Sequence, residues 1–357
     1  MTRVAVAEYA VLFWRDGTLV WDDYLHHRQF ALTPDSERVL RWFASWRELD
    51  SIAELGELPL GIARRLLEAQ VLVAEGSAEH VEQQQMLAEW GTWGPSARYL
   101  HFAARTGSDV RFADVLDDEL RSAAKASEQP APAPAKSYPQ HPMIPVPGDR
   151  PDSSGWRRPG LVDALFERRS VRQFTADPVS LDAVGTVARV ATGPVTVIDH
   201  PQVGQVLLKT SPSAGARTPI ELYLYANRVD GLAPGFFHYA PLRGGLERIG
   251  DSVPGSVLGA ALGEQPWLSD CAALLIYTAV PARTRWRYER SRAYRDILIE
   301  LGHVSQTVLL TATALGLGAV TATAMRDREL EDLLGCDPTA EPALAVTALG
   351  CPAAGLG

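Results

Sequence analysis

A proline-rich stretch divides the chain and limits what it can fold into. Residues 123–160 read AAKASEQPAPAPAKSYPQHPMIPVPGDRPDSSGWRRPG, with eight prolines between Pro130 and Pro151. Proline lacks a backbone donor and favours extended polyproline geometry, so the stretch is unsuited to the interior of a helix. We predict a semi-rigid, exposed linker. It separates an N-terminal domain, residues 1–122, from a second domain, residues 161–357, as the length of the chain also suggests.

Composition narrows the classes of partner. The chain is 46% hydrophobic and 22% charged, which is ordinary for a globular protein, and its net charge is −9 with a pI of about 5.4. A negative field repels phosphate backbones, so we expect no nucleic-acid partner.

The cysteines indicate a reducing compartment. Cys271, Cys336 and Cys351 are few, odd in number and widely spaced, which does not fit a disulfide framework. No CxxC pair or HExxH motif offers the spacing of metal ligands, so no metal site is predicted. No signal-like run opens the chain and no stretch approaches the ~20 apolar residues of a membrane span. We expect a cytoplasmic protein without a membrane partner.

The N-terminal domain has the elements of a winged helix. Two β-rich runs flank Asp16-Gly17 and predict a hairpin. Helical patterns follow from Thr33 and over residues 60–69, and a strand-like Val71-Leu72-Val73 comes next. The second helix carries only Arg64 and Arg65, which disfavours DNA. Binding of an extended peptide along a strand edge and simple support of a dimer stay open as its role.

The second domain alternates strands and helices and indicates an α+β fold. Residues 222–226 and 272–277 predict buried strands. Residues 295–315 predict the longest helix, because apolar side chains recur there at steps of three and four. That helix is apolar enough to form the middle of a dimer. His303 lies within its apolar stripe and is expected to be a satisfied core residue.

Two short segments carry candidate chemistry. Residues 167–174, ERRSVRQF, place three arginines and a serine where they can converge on a phosphate. The alternative is that arginines at a helix C-terminus only complement the helix dipole. Residues 209–219, KTSPSAGARTP, are small enough to let the backbone approach a flat ligand, or they form a plain loop before a strand.

The order of these segments resembles the nitroreductase superfamily, and more closely the SagB-type dehydrogenases, which are azoline oxidases of ribosomal peptide biosynthesis. The resemblance rests on RRSVRQF, on SPSAGARTPIELYLYANRVDGLAPGFFHYAP, on the segment from Arg287 to Asp327 and on the terminal VTALGCP. The N-terminal WGTWGPSARYLHFAART is also similar to the segment ahead of the catalytic domain in these enzymes. It implies a nitroreductase-like fold with a central, mostly antiparallel sheet flanked by helices, an FMN cofactor and a homodimer with active sites at the subunit interface.

The resemblance also implies residue roles. The FMN phosphate would be held by Arg168, Arg169, Ser170 and Arg172. The isoalloxazine and ribityl chain would lie along Pro212, Ser213 and Gly215. The backbone of Thr323 and Ala324 would approach the flavin N5. His238 and Tyr239 match the family pattern and are read as structural support.

Two departures from the family pattern bear on the chemistry. The family has Lys-Tyr where this chain has Arg287-Tyr288, and the lysine is its presumed general base. Arginine stays protonated, so Arg287 would hold a substrate carbonyl or developing negative charge. Tyr288 would then accept the proton if the adjacent cation lowers its pKa, unless the base lies elsewhere. Ala324-Met325 replaces glycine-phenylalanine, which keeps the backbone N–H but reshapes the flavin face.

The implied reaction is oxidation of a thiazoline or oxazoline in a modified precursor peptide to the aromatic azole. A base removes the Cα proton while hydride leaves Cβ for the flavin, and dioxygen reoxidises the cofactor. A cyclodehydratase is a further expected partner. Two alternatives remain open: an NAD(P)H-dependent nitro or quinone reductase, and a catalytically silent scaffold subunit of a peptide-modifying complex.

Overall fold

The chain forms two compact units, Met1–Arg111 and Phe112–Gly357. The structure is a computed structural model, and it describes residues 2–105, 115–146, 160–201 and 203–353. Within the first unit the described elements are β1 (Arg3–Val6), β2 (Ala10–Arg15), β3 (Thr18–Asp23), β4 (Arg28–Leu32), α1 (Pro34–Trp42), β5 (Arg47–Glu48), α2 (Glu57–Glu68), β6 (Leu72–Ala74), α3 (Ala78–Trp90) and α4 (Gly94–Ala103).

Local sequence explains the start of the first unit. Asp16 and Gly17 both have positive φ, 49° and 76°, and join β2 to β3 in the predicted two-residue hairpin. Thr33 caps α1 by accepting a hydrogen bond from the Ser36 N–H at 3.2 Å. The hairpin belongs to the sheet β2-β3-β4, whereas β6 lies in the sheet β5-β1-β6. The hairpin and the strand after α2 are thus in separate sheets, and a winged-helix relationship stays a prediction.

The second unit contains the larger set of elements. Its described helices are α5 (Val115–Glu128), α6 (Leu161–Glu167), α7 (Leu181–Thr192), α8 (Gly255–Ala261), α9 (Pro266–Ser269), α10 (Pro281–Arg287), α11 (Ala293–Ala314) and α12 (Asp327–Leu334). Its described strands are β7 (Met143–Pro145), β8 (Val179–Ser180), β9 (Pro194–His200), β10 (Gly204–Lys209), β11 (Ile220–Ala226), β12 (Val229–Asp230), β13 (Gly235–Ala240), β14 (Gly245–Asp251), β15 (Ala273–Ala279), β16 (Gly318–Ala322) and β17 (Ala343–Gly350).

Among the described residues, seven of these strands form a central sheet in the order β16-β17-β15-β11-β13-β14-β7, and each neighbouring pair is antiparallel. The central strands β11 and β15 are buried along their whole length. Alternate residues of β11 belong to two different cores: Leu222 and Leu224 pack with α7 and α11, while Tyr223 and Tyr225 pack with α8 and α12. Helices therefore cover both faces, and the predicted α+β fold is confirmed.

The proline-rich stretch differs from its prediction. Its first residues, to Glu128, end α5, and Met143–Pro145 adds to the central sheet as β7 beside β14. Residues 129–146, which we call the strap, are held to the sheet by polar contacts. The backbone N–H groups of Lys136 and Tyr138 donate to the carboxylates of Glu221 and Glu247 at 2.9 and 2.7 Å. Because these backbone donors are bonded to the sheet, the strap is not a free linker. Residues 147–159 lie outside the described part.

The longest helix, α11, has one face in the core and one outside. Ile297, Val304 and Val308 are buried against the sheet, whereas Leu298 and Ile299 are exposed. By length and composition α11 is long and apolar enough to cross a membrane. A helix in the core of a protein can have the same length and composition. His303 was expected to lie in the core, but it is exposed. Its Nδ1 donates to the Pro212 carbonyl at 3.3 Å.

Candidate active site

Three segments that carry predicted site residues meet one edge of the central sheet. Residues 210–219, which we call the site loop, lead into β11 at Ile220, and Ile220 pairs with Ala279 at the end of β15. α10 follows β15 at that edge, and the chain leaves β16 near it after Ala322. β16 and β11 are three strand spacings apart, about 14 Å.

The site loop has an unusual backbone. Gly215, Ala216 and Thr218 have φ of +55°, +50° and +48°. For the β-branched Thr218 this left-handed conformation is a genuine outlier, and such strain concentrates at functional sites. The Thr218 N–H donates to the Ser213 Oγ at 2.8 Å, and the Thr218 carbonyl accepts from Arg283 Nη1 at 2.8 Å. The loop is thus held in a costly shape by its own side chains and by α10.

Gly215 brings the predicted catalytic pair to the site loop. A Cβ added at Gly215 would lie 2.7 Å from Arg287 Cδ and 2.7 Å from the Tyr288 hydroxyl. A larger residue would displace both side chains, and the φ of +55° favours glycine at this position. Arg287 Nη1 also lies 3.5 Å from the Gly215 carbonyl oxygen, and its guanidinium is 5.8 Å from the centre of the Tyr288 ring.

A second cation, Arg217, was not singled out from the sequence. Its side chain is buried, its Nε donates to the Gly215 carbonyl at 3.0 Å, and its guanidinium lies 5.5 Å from the centre of the Trp286 ring. Burial and the charge of Arg287 lower the pKa of Arg217, while the phenol of Tyr288 acts in the opposite direction. Arg217 and Arg287 lie in separate segments of the chain, so the sequence alone does not bring their charges together.

The arginine-serine segment lies beside β16. Ser170 forms an isolated parallel bridge with Ala319, and the Val171 N–H donates to the Ala319 carbonyl at 3.1 Å. Ser170 and Arg172 are exposed, and Arg168 is half-buried. The Arg172 guanidinium lies 5.5 Å from the centre of the Trp267 ring. The three side chains therefore start from one short stretch of backbone, as the sequence predicts.

Arg169 points differently from a phosphate ligand. Its Nη1 donates to the carbonyls of Phe166 and Arg168 at 2.8 and 2.9 Å. It thus caps the C-terminus of α6, which is the alternative considered for this segment. To bind a phosphate, Arg169 would have to release these two carbonyls.

Thr323 and Ala324 follow β16 and are exposed. The Ala324 carbonyl accepts a hydrogen bond from Gln265 Nε2 at 2.6 Å, and the Arg326 N–H donates to the Ala261 carbonyl at 2.8 Å. These bonds fix the turn after β16 on α8 and the residues that follow it.

The predicted cofactor residues fall into two groups. One contains Pro212, Ser213 and Gly215, together with Arg287 and Tyr288. The other contains Arg168, Arg169, Ser170 and Arg172 beside the strand that leads to Thr323 and Ala324.

The donors present suit FMN. Exposed guanidinium groups and a hydroxyl suit a phosphate, while an exposed backbone after β16 and a glycine-centred loop suit a flat ring. Cys271 and Cys336 do not offer thiolate chemistry, because burial raises their pKa to about 12 and about 11.

A buried network of charges lies behind the site loop. Both ring nitrogens of His238 face carboxylates: Nε2 is 2.9 Å from Glu221 Oε2, and Nδ1 is 3.0 Å from Glu247 Oε2. Arg283 and Arg243 complete the pairs with Glu221 and Glu247. Burial raises the pKa of Glu221, but Arg283 and His238 outweigh it and bring the pKa to about 2. His238 thus supports the structure, as expected.

The strap joins the same network. Burial lowers the pKa of Lys136, but its ion pair with Glu341 and its contact with Tyr138 outweigh that effect and raise the pKa. Tyr223 donates to Glu341 at 2.7 Å, and Ser137 donates to Glu247 at 2.7 Å. Every carboxylate of the network thus has a partner of opposite charge.

Comparison with known proteins gives a consistent picture. The family model described as "Nitroreductase family" matches residues 165–350. A protein of Methanocaldococcus jannaschii that is named as a nitroreductase is 36% identical over 174 residues, which cover 49% of this chain and 83% of that protein. The trifolitoxin-processing protein of Rhizobium leguminosarum is 26% identical over 171 residues, or 47% of this chain and 46% of that protein.

Among solved structures, that of a protein from Anabaena variabilis described as a nitroreductase has a TM-score of 0.54 and 22% sequence identity. The match covers 72% of this chain and 47% of that one. The chain therefore spans less than half the length of the Rhizobium and Anabaena proteins. At this level of identity the likeness concerns the fold, and it confirms the predicted nitroreductase-like architecture.

Proposed function

Because the chain belongs to the Nitroreductase family, we propose that it is an FMN-dependent dehydrogenase that oxidises thiazolines or oxazolines in a peptide. Membership of the family by itself supports an oxidoreductase. The azoline substrate is a further part of the proposal. The observation that carries this step is the contact of Gly215 with Arg287 and Tyr288. It joins a proton-accepting group and a cation to the loop expected along the flavin.

The residues of the chain divide the binding of FMN between them. Arg168, Ser170 and Arg172 would hold the phosphate, and Arg169 would join them on leaving its helix cap. Pro212, Ser213 and Gly215 would hold the ring and ribityl chain, and the backbone at Thr323 and Ala324 would bind the ring as well. When bound, FMN supplies the two-electron acceptor that the oxidation requires.

Arg287 and Tyr288 handle the substrate. Tyr288 removes the proton from Cα of the azoline, and Arg287 holds the carbonyl next to that carbon, where negative charge develops. The second hydrogen leaves Cβ as hydride, so that the azoline loses one proton and one hydride in forming the aromatic ring. The side chains of Arg287 and Tyr288 meet at Gly215, which keeps the acceptor and the cation on one side of the substrate.

The expected partners follow from this proposal. A homodimer is supported by exposed apolar side chains on α6 and α11, which are in contact with each other: Leu161, Val162, Leu165 and Phe166 on α6 and Leu298 and Ile299 on α11. The similarity to a protein named for trifolitoxin processing supports a processing role. The proposed substrate is a modified precursor peptide, and the proposed partner is a cyclodehydratase. The N-terminal unit is then a module for binding that peptide. The three free cysteines fit action in the cytoplasm.

A second candidate function is an NAD(P)H-dependent nitro or quinone reductase. It is favoured by the 36% identity with the Methanocaldococcus protein, which is named as a nitroreductase.

The visible spectrum separates the two candidates. The purified full chain is loaded with FMN, made anaerobic and mixed with an azoline-containing peptide. Bleaching of the flavin by the peptide and formation of the azole by mass spectrometry support the dehydrogenase. Bleaching by NAD(P)H alone selects the reductase, and failure to bind FMN overturns both proposals.

A further inference from the structure

Arg217 occupies a position that the family resemblance does not assign. It lies in the site loop between two residues of positive φ, Ala216 and Thr218. Its side chain is almost fully buried and points back along the site loop. There its Nε donates to the Gly215 carbonyl at 3.0 Å. One side chain therefore fixes the orientation of the peptide unit that follows Gly215.

The same guanidinium connects the site loop with α10. It lies 5.5 Å from the centre of the Trp286 ring, and Trp286 is the buried residue directly before Arg287. Trp286 is itself fixed, because its Nε1 donates to the Gln129 carbonyl of the strap at 2.8 Å. Arg217 thus packs on a Trp286 ring that is itself held by the strap, and its bond to the Gly215 carbonyl holds that residue in place relative to the ring.

Gly215 is where the Tyr288 hydroxyl meets the loop, 2.7 Å from the point where a Cβ would stand. The charged groups described around this phenol are Arg217 from the site loop, Arg287 from the end of α10, and the pair of Glu289 with Lys125 of α5 one residue further on. The Arg287 guanidinium lies 5.8 Å from the centre of the Tyr288 ring, and Arg217 is linked to the phenol through Gly215. Tyr288 raises the pKa of Arg217, and because this attraction is mutual, the charge of Arg217 favours the anionic form of the phenol.

We propose that Arg217 is a positioning residue for Tyr288: it fixes the Gly215 backbone against the phenol hydroxyl, and its charge stabilises the phenolate that accepts the substrate proton. The assignment of Tyr288 as acceptor rests on the proposed function, but the coupling between Arg217 and Tyr288 does not. Among the described residues, Arg287 contributes one cation near the phenol, and Arg217 contributes another from a separate segment of the chain.

The test is a titration of Tyr288 in the full-length protein labelled with ¹³Cζ-tyrosine. The Tyr288 resonance is assigned by its loss in Tyr288→Phe, and its midpoint is followed by NMR. We expect ionisation at least one pH unit below the ordinary tyrosine value of about 10. Arg217→Gln should raise that midpoint by about one unit, a tenfold weaker ionisation, and Arg217→Lys should raise it less because the charge remains.

Arg285→Gln is the matched control, since Arg285 is an exposed arginine of the same helix α10, and it should leave the midpoint unchanged. If Arg217→Gln does not fold by circular dichroism, Arg217→Lys gives the reading. A change below half a unit in Arg217→Gln, or below about 0.2 units in Arg217→Lys where only that variant folds, overturns the proposal, as does a Tyr288 midpoint at or above 10 in the parent. If the azoline peptide fails to bleach the flavin while the midpoint still responds to Arg217, the proposed function falls and the coupling stands.

Discussion

Two groups of buried charge flank the first residue of β11 and are built in opposite ways. Behind it, Glu221 belongs to a network in which carboxylates alternate with Arg283, His238 and Arg243. Ahead of it, Arg217 and Arg287 both approach the Gly215 carbonyl, and burial together with repulsion from Arg287 lowers the pKa of Arg217. The two groups are four residues apart in the chain.

The difference separates what holds the fold from what the site can do. Where charges alternate, burial is offset by close pairing, and removing one partner leaves another charge buried without compensation. Where like charges adjoin, the fold gives up stability, and that arrangement favours an anion or a developing negative charge. We therefore expect changes in the network to alter folding and changes in the cationic group to alter chemistry.

The sharpest test of this contrast is Tyr288→Phe. Loss of a general base typically lowers turnover by 10²–10⁴-fold. We expect a fall of that size in azole formation, with the unfolding midpoint and FMN binding unchanged. Tyr294→Phe is the control, because Tyr294 is exposed on the first turn of α11 and should keep full turnover. Normal turnover in Tyr288→Phe would place the base elsewhere.

Glu247→Gln should lower the stability of the fold, in contrast to Tyr288→Phe, which should lower turnover. Glu247 is fully buried and bonds to His238, Arg243, Ser137 and the Tyr138 N–H. Breaking one partner of such a network costs about 3–5 kcal/mol, which denaturant unfolding measures directly. Asp251→Asn removes the exposed pair with Arg248 and should cost less than about 1 kcal/mol. Equal costs for the two variants would contradict the contrast.

As the pH falls, the carboxylates of the buried network should become protonated and lose their stabilising bonds, whereas the arginines of the cationic group keep their charge. The pKa of Glu221 is lowered from 4.5 to about 2 and that of Glu247 is also lowered. Their stabilisation is present above the unfolded pKa and is lost as pH falls from about 4.5 towards 2. For Glu221 this amounts to about 3 kcal/mol. The unfolding free energy measured across this range should fall less steeply in Glu221→Gln than in the parent.

The smallest expected effect concerns the exposed cations beside β16. Arg172→Ala should weaken FMN binding by about 10- to 100-fold, the loss of one or two charge-assisted hydrogen bonds, with little change in stability. Arg169→Ala should weaken it less, because Arg169 already caps α6. Fluorescence titration of the apoprotein with FMN gives both constants, and a larger loss in Arg169→Ala would reverse their assignment.

Local patterns in the sequence predicted local structure well. The turn at Asp16-Gly17, the buried strands at residues 222–226 and 272–277 and the long helix over 295–315 all correspond to described elements, with bounds shifted by at most two residues. Each depends on periodicity or on turn chemistry within a few residues. The roles of the predicted site residues remain predictions.

Contacts between distant segments could not be read in the same way. The attachment of the strap to the sheet was not predicted, because proline composition does not reveal that the Glu221 carboxylate accepts from the Lys136 N–H, 85 residues away. The approach of Gly215 to Arg287 joins residues 72 apart. The positive φ of Thr218 was likewise hidden, because the residue type argues against it and only the surrounding bonds impose it.

The strap also determines where the chain can be cut. A recombinant fragment beginning at residue 161 would keep the whole span matched by the family model, yet it would lose β7 and the partners that Lys136, Ser137 and Tyr138 provide. Glu221, Glu247 and Glu341 would then lack bonds that offset their burial. We expect such a fragment to aggregate on expression, whereas one that starts ahead of α5 should be soluble and monodisperse.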